Sequence, residues 1–156
     1  MNAPHPLLSS ALAQNPGMQG LAARHVEVQG LRYPLTIDLG AGQVVNTVAS
    51  FTLSFGVAAT QKESYMTCFL DWLESHRGQV INHSSLLGLF DRLVEGLEAT
   101  SGRLAMTFNC MVPNAATHTG SEPWMEYDAE WLVEQQEGKK PVLKSVHQPA
   151  KHHYHA

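Results

Sequence analysis

Residues 31–57, LRYPLTIDLGAGQVVNTVASFTLSFGV, decide the fold. Leu31, Tyr33, Leu35, Ile37 and Leu39 are apolar while Arg32, Thr36 and Asp38 between them are polar. That period of two belongs to a half-buried strand. Pro34 cannot donate to a ladder, which predicts an edge position or a bulge. Gly40-Ala41-Gly42 supplies a turn, after which Thr47, Ala49, Phe51, Leu53, Phe55 and Val57 alternate with Asn46, Ser50, Thr52 and Ser54. The stretch therefore predicts a long hairpin.

Beyond the hairpin the period changes. Thr60 and Glu63 stand in the S/T-x-x-E form of a capping box, and Met66, Phe69, Leu70 and Leu73 follow at one-face helical spacing. Tyr65, Cys68, Trp72 and His76 add a second stripe, which predicts contact with another helix or subunit. After Gly78 and a short Val80-Ile81 step, Asn82-His83-Ser84-Ser85 opens a second helix with Leu86, Phe90, Leu93, Val94 and Leu97 on one side. Gly102 is the expected C-terminal cap. Gly88 and Gly96 lie inside this helix and each costs about 1 kcal/mol relative to Ala, so it depends on tertiary packing. Alternation returns at Leu104, Met106, Phe108 and Cys110, a third strand ended by Pro113-Asn114. A fourth strand carries Met125, Tyr127, Ala129, Trp131 and Val133 on one face and Glu126, Asp128, Glu130 and Glu134 on the other.

The order ββααββ is that of an α+β domain. Two hairpins bracketing two helices suit a four-stranded antiparallel sheet with both helices on one face. The expected organisation is a flexible leader over residues 1–24, one folded unit over 25–138, and an extended or loose His-rich tail over 139–156.

The chain has 156 residues, 44% of them apolar, and a formal net charge of −4. A domain of this length buries about two-thirds of its unfolded surface and needs no disulfide or structural metal. The acidic balance argues against a broad nucleic-acid footprint. No apolar run approaches the ~18 residues of a membrane span, and the start MNAPHPLLSSALAQ lacks the basic region of a signal peptide, so a cytoplasmic protein is expected. The two cysteines, Cys68 and Cys110, form no CxxC pair and read as small apolar fillers. GxxxxGK[ST], GxGxxG after a strand, HExxH and GxSxG are all missing, which disfavours nucleotide-loop kinases, dinucleotide enzymes, zincins and serine hydrolases of those patterns.

Two groups of residues carry candidate chemistry. Glu126 and Asp128 are substrate-binding candidates, because a carboxylate accepts two hydrogen bonds from a guanidine-like ring edge. The competing reading is a solvated strand face. His147, His152, His153 and His155 are metal candidates, since imidazole nitrogens bind Zn²⁺, Ni²⁺ or Cu²⁺; the competing reading is adventitious affinity of a loose segment. His25, His76, His83 and His118 are scattered and read as exposed or capped.

Three stretches, taken together, resemble the type IB GTP cyclohydrolases. HVEVQGLRYPLTI with NTVASFTLSFGVAATQKESYMTCFLDWLE resembles that family's two first strands and its K-G-x-H-M-S-R-F helix start; Lys62, Met66 and Phe69 match, while Tyr65 and Cys68 replace its histidine and arginine. GRLAMTFNCMVPNAATHTG resembles its strand ending in F-P-Y-F and the loop that follows, and SEPWMEYDAEWLVE resembles its L-D-Y-E-V strand. The likeness covers residues 25–137.

The resemblance implies the tunnelling fold, a ββααββ unit whose sheets join edge to edge into a barrel through oligomerisation. It implies formation of dihydroneopterin triphosphate from GTP for folate and related pterins, with a divalent metal, zinc or manganese, activating water at C8 of guanine. The family carries two such units per chain and places its metal ligands in the second, opening with C-P-C-S. This chain reads SVHQPAKHHYHA where that segment is expected, and the resemblance therefore implies correspondence with the N-terminal half. No catalytic residue is assigned, and the missing ligands are expected from another copy or a complementary half-chain. The alternative is a non-catalytic pterin- or purine-binding or assembly module; a truncated, inactive product is the third reading. Neither nucleic acid nor membrane is an expected partner.

Overall fold

A computed structural model describes residues 23–58, 65–113 and 123–150. The elements run β1 (Ala23–Gly40), β2 (Gln43–Ala58), α1 (Tyr65–Ser75), β3 (Val80–Ile81), α2 (His83–Leu97), β4 (Ser101–Pro113), β5 (Trp124–Gln135) and β6 (Val142–Pro149). The class is α+β, as expected. Among the described residues, however, the sheet has six strands rather than four, in the order β3-β1-β2-β4-β5-β6. The four expected strands form its antiparallel centre. Two additions extend it. The Val80–Ile81 step pairs parallel with Thr36 and Ile37 of β1, and Val142–Pro149 pairs antiparallel with β5.

β1 is longer than its apolar alternation predicts because its phase flips. Val26 and Val28 are buried before Gly30, whereas Leu35 and Ile37 are buried after it. The ladder steps from Val28↔Leu53 to Leu31↔Phe51, so Gln29 and Gly30 together oppose Thr52. This is a bulge, and Gly30 supplies its left-handed φ of 69°. Pro34 is accommodated as expected, since the outer edge of β1 is paired only at Thr36 and Ile37.

Both helices cover one face. Phe69 of α1 meets Phe51 edge to face at 5.2 Å, and Phe90 of α2 lies 5.5 Å from Phe55. Phe51 and Phe55 are four residues apart on one strand and so point the same way. An edge-to-face pair such as Phe51–Phe69 is worth about 0.5–1.5 kcal/mol beyond the area it buries, while Phe55–Phe90 is tilted at 36°. Trp72, in the second stripe of α1, is buried within the chain and stacks on His76 at 4.0 Å, while Leu70 points outward at 38% exposure. The capping-box pair Thr60 and Glu63 lies outside the described residues, as does residue range 1–22.

α2 starts as expected. The Asn82 side chain accepts from the Ser85 backbone N–H at 2.8 Å, and Ser85 Oγ accepts from the Asn82 N–H at 3.1 Å. Its end differs from expectation: Glu98, in left-handed conformation, closes the helix, and Gly102 lies inside β4 opposite Phe55. A Cβ on Gly102 would sit 2.5 Å from the Phe55 ring and 3.2 Å from Phe90. The glycine thus makes room for the ring pair that seats α2.

Gly102→Ala is therefore expected to destabilise the chain by about 1–3 kcal/mol through overpacking. Gly88→Ala, with open space around the new methyl, is expected to stabilise by up to about 1 kcal/mol. Thermal melts of the two variants check both signs.

Candidate functional site

Among the described residues both helices lie on one sheet face, and the other is uncovered. Alternation along β5 sends Ala129, Trp131 and Val133 into the core and Glu126, Asp128 and Glu130 to the helix-free face. On β4 the same rule sends Thr107, Asn109 and Met111 outward. Register then sets Asn109 opposite Asp128, and Asp128 opposite Gln148 of β6. A cleft of about 490 Å³ opens there, lined by Thr107, Asn109, Asp128, Glu130, Val146 and Gln148.

The carboxylates are organised, not merely solvated. Asn109 Nδ2 donates to Glu126 Oε2 at 2.6 Å and to Asp128 Oδ1 at 3.0 Å. One amide thereby holds two negative charges that otherwise repel along a single strand face. The bond to Asp128 uses Oδ1 only, leaving Oδ2 without a partner among the described residues. Half-exposed Trp124 stands on the same strand face two residues before Glu126.

His147 is placed elsewhere. It lies opposite Ala129 on the helix-covered face, so the sheet separates it from Glu126 and Asp128. The Trp131 Nε1–H donates to His147 Nε2 at 3.0 Å, which fixes that nitrogen as an acceptor. The two rings lie 15° from parallel, and His83 also packs edge-on against Trp131 at 4.3 Å. Burial of the inner ring edge, and then the nearby His83, lower the His147 pKa below the ordinary 6.5 even though its outer edge meets solvent. His152, His153 and His155 lie outside the described residues, as does His118. Among the described residues, no three His, Cys, Asp or Glu side chains converge as metal ligands.

Both cysteines pack as apolar groups. Cys110 is buried and Cys68 half-buried against the core, and both are free thiols. Burial, followed by the Asp128 charge, pushes the Cys110 thiol pKa up, which keeps it neutral.

Sequence reading missed Asn109, Gln148 and Trp124. For Asn109 the signal was present: it occupies the polar phase of a strand whose apolar phase was plain. For Gln148 there was none, because nothing in KKPVLKSVHQPAK has a strand's period.

Among the described residues the molecule is thus an α+β sheet protein, covered by helices on one side and bearing a carboxylate–amide cleft on the other. No described helix is long and apolar enough to cross a membrane. The comparison with known families makes this particular: the chain belongs to the type I GTP cyclohydrolase folE2 family, whose model matches residues 12–151. It is 32% identical over 143 residues to GTP cyclohydrolase FolE2 1 of Dechloromonas aromatica, covering 92% of this chain and 53% of that protein. It is 31% identical over 129 residues to GTP cyclohydrolase FolE2 of Cupriavidus necator, covering 83% of this chain and 48% of that protein. The same name belongs to a Ralstonia nicotianae relative, 31% identical over 119 residues, with 76% of this chain and 44% of that protein covered. The chain spans about half the length of these curated relatives.

The His147 contact sets a pH dependence of stability. A folded-state pKa below the unfolded one means that protons bind the unfolded chain first, so stability present above pH 6.5 is lost as pH falls through that value toward the folded pKa. His147→Gln, which cannot titrate, is expected to show a shallower loss of Tm than the parent between about pH 7.5 and about pH 5.5. Melts of the two proteins across that interval test it.

Proposed function

We propose that this chain serves the conversion of GTP to dihydroneopterin triphosphate, for folate and related pterins, as the unit that holds the guanine ring. Membership of the folE2 family supports the reaction class. The observation that carries the assignment to a site is the Asn109 amide bridging Glu126 and Asp128 at the mouth of a cleft. Guanine presents N1–H and the N2 amino group side by side, and one carboxylate accepts from both. Adenine has no such pair. Glu126 and Asp128 are accordingly the purine-recognising residues, with Asn109 positioning them.

The tunnelling fold belongs to the same reading. The edge of β6, and the edge of β1 beyond its two-residue cover, are unpaired among the described residues and can pair with neighbouring copies so that the sheets close into a barrel. The three family-like stretches and their order support correspondence with the N-terminal unit, completed by another copy or by a complementary half-chain. A cytoplasmic setting fits the two free thiols.

The family's chemistry implies a divalent metal, zinc or manganese. The described residues do not fit one by themselves, since no three ligands converge and His147 Nε2 is already engaged. His147 with His152, His153 and His155 remains the proposed metal-binding set, with further ligands contributed by a partner chain.

The full chain is expected to bind GTP at least about tenfold more tightly than ATP, and Asp128→Asn to abolish that preference, as read by calorimetric titration. With Zn²⁺ or Mn²⁺ added, GTP should release formate and yield a fluorescent pterin after oxidation and dephosphorylation. Saturable binding without formate favours the non-catalytic module, and failure to bind GTP rejects both. Light scattering should find an oligomer; a strict monomer rejects the barrel.

A further inference from the structure

Among the described residues, α1 and α2 do not cover their own sheet face to its end. A cavity of about 380 Å³ opens there, and no residue of either helix lines it. Its floor is Cys110, Val112, Tyr127 and His147, and its wall is the tip of the β1–β2 hairpin between Leu39 and Gln43. The wall has a defined backbone. Gly40, Ala41 and Gly42 have positive φ of 99°, 54° and 79°, and Asp38 Oδ1 accepts from the Gly40 N–H at 2.8 Å. The sheet lies between this cavity and the carboxylates, because Tyr127 and Asp128 are in opposite phases of β5.

The lining is apolar with donors set into it. No Lys, Arg, Asp or Glu lines it among the described residues. Cys110 is 4% exposed, and neither its thiol nor the Tyr127 hydroxyl has a hydrogen-bond partner among the described residues. His147 adds a third donor by elimination. The Trp131 indole can only donate, so His147 Nε2 is an acceptor, and the neutral imidazole then carries its proton on Nδ1. That Nδ1–H also has no partner among the described residues. A donor left unmet in an apolar setting gains from any acceptor brought to it, whereas a charge brought there loses hydration without a counter-charge.

We propose that this cavity is a second binding site, for a small neutral molecule that is largely apolar and carries one carbonyl-type acceptor. Its volume falls within the range of about 300–1,000 Å³ usual for small-molecule sites. The apolar body of such a ligand packs on Leu39 and Val112, and its oxygen accepts from the donors of the floor. The inference is independent of the guanine reading, since the two sites share no lining residue and lie on opposite faces of the sheet.

Acetophenone is the probe. Its controls are α-methylstyrene, in which a methylene replaces the carbonyl oxygen, and benzoate, which adds a charge. Calorimetric titration of the full chain should find one acetophenone bound per chain, at least about tenfold more tightly than α-methylstyrene, and no binding of benzoate. Val112→Trp, which fills the cavity, should lose acetophenone binding. The position is read independently by NMR: in the full chain with labelled valine methyls, bound acetophenone should give NOEs to Val112. Absence of acetophenone binding overturns the proposal, as does equal affinity for α-methylstyrene or comparable binding of benzoate. Binding without NOEs to Val112, or binding that persists in a folded Val112→Trp chain, puts the ligand elsewhere and also overturns it. Should Val112→Trp fail to fold, the NOEs to Val112 in the parent decide by their presence or absence.

Discussion

The seating of two helices on one face of the sheet, through Phe51 against Phe69 and Phe55 against Phe90, is the constraint on which the rest of the molecule depends. It commits every apolar phase of the central strands to one side. The polar phases are left exposed together on the other, and the carboxylate cleft follows from that segregation. Gly102 is part of the same constraint, since any side chain there would displace the Phe55 ring and with it α2. A site on a sheet face inherits its precision from the packing beneath it.

The covered face also has a task at its margin. β6 is an edge strand with few apolar residues facing inward, and His147 ties it to the core through Trp131. That contact requires a neutral imidazole, because Nε2 must accept. Metal reading and structural role therefore compete for one side chain: a ligand through Nε2 would cost the bond to Trp131. The carboxylates face no such conflict, since Asn109 engages them while leaving Asp128 an oxygen to offer.

The chain matches about half the length of its curated relatives, and what it contributes on its own is a sheet with one face open among the described residues. That face carries the acceptors around Asp128. The exposed strand edges lie on either side of that face. Joining copies at those edges would extend the surface and enclose it, which is how a sheet with open clefts becomes a chamber that excludes water. The chemistry proposed here needs such exclusion, because hydrogen bonds to a purine edge discriminate best where water cannot replace them.

What the sequence determined by itself is what depends on local period. Alternation from Leu31 to Val57, from Leu104 to Cys110 and from Met125 to Val133 identified four strands, their inner faces and the outward phase of Glu126 and Asp128; helical spacing identified both helices, and the polar run from Asn82 the start of the second. Tertiary structure alone decided whatever depends on pairing between distant segments. The bulge at Gly30 reverses the phase of β1, so Val26 and Val28 are core residues that a single alternation could not reach. β6 has no period of its own and is a strand because β5 offers it an unpaired edge. The meeting of Asn109 with Glu126 and Asp128 is a matter of register between β4 and β5, and a one-residue slip would send Asn109 to the opposite face. Period is written in each segment, whereas register is a property of two, and only the folded chain brings the two together.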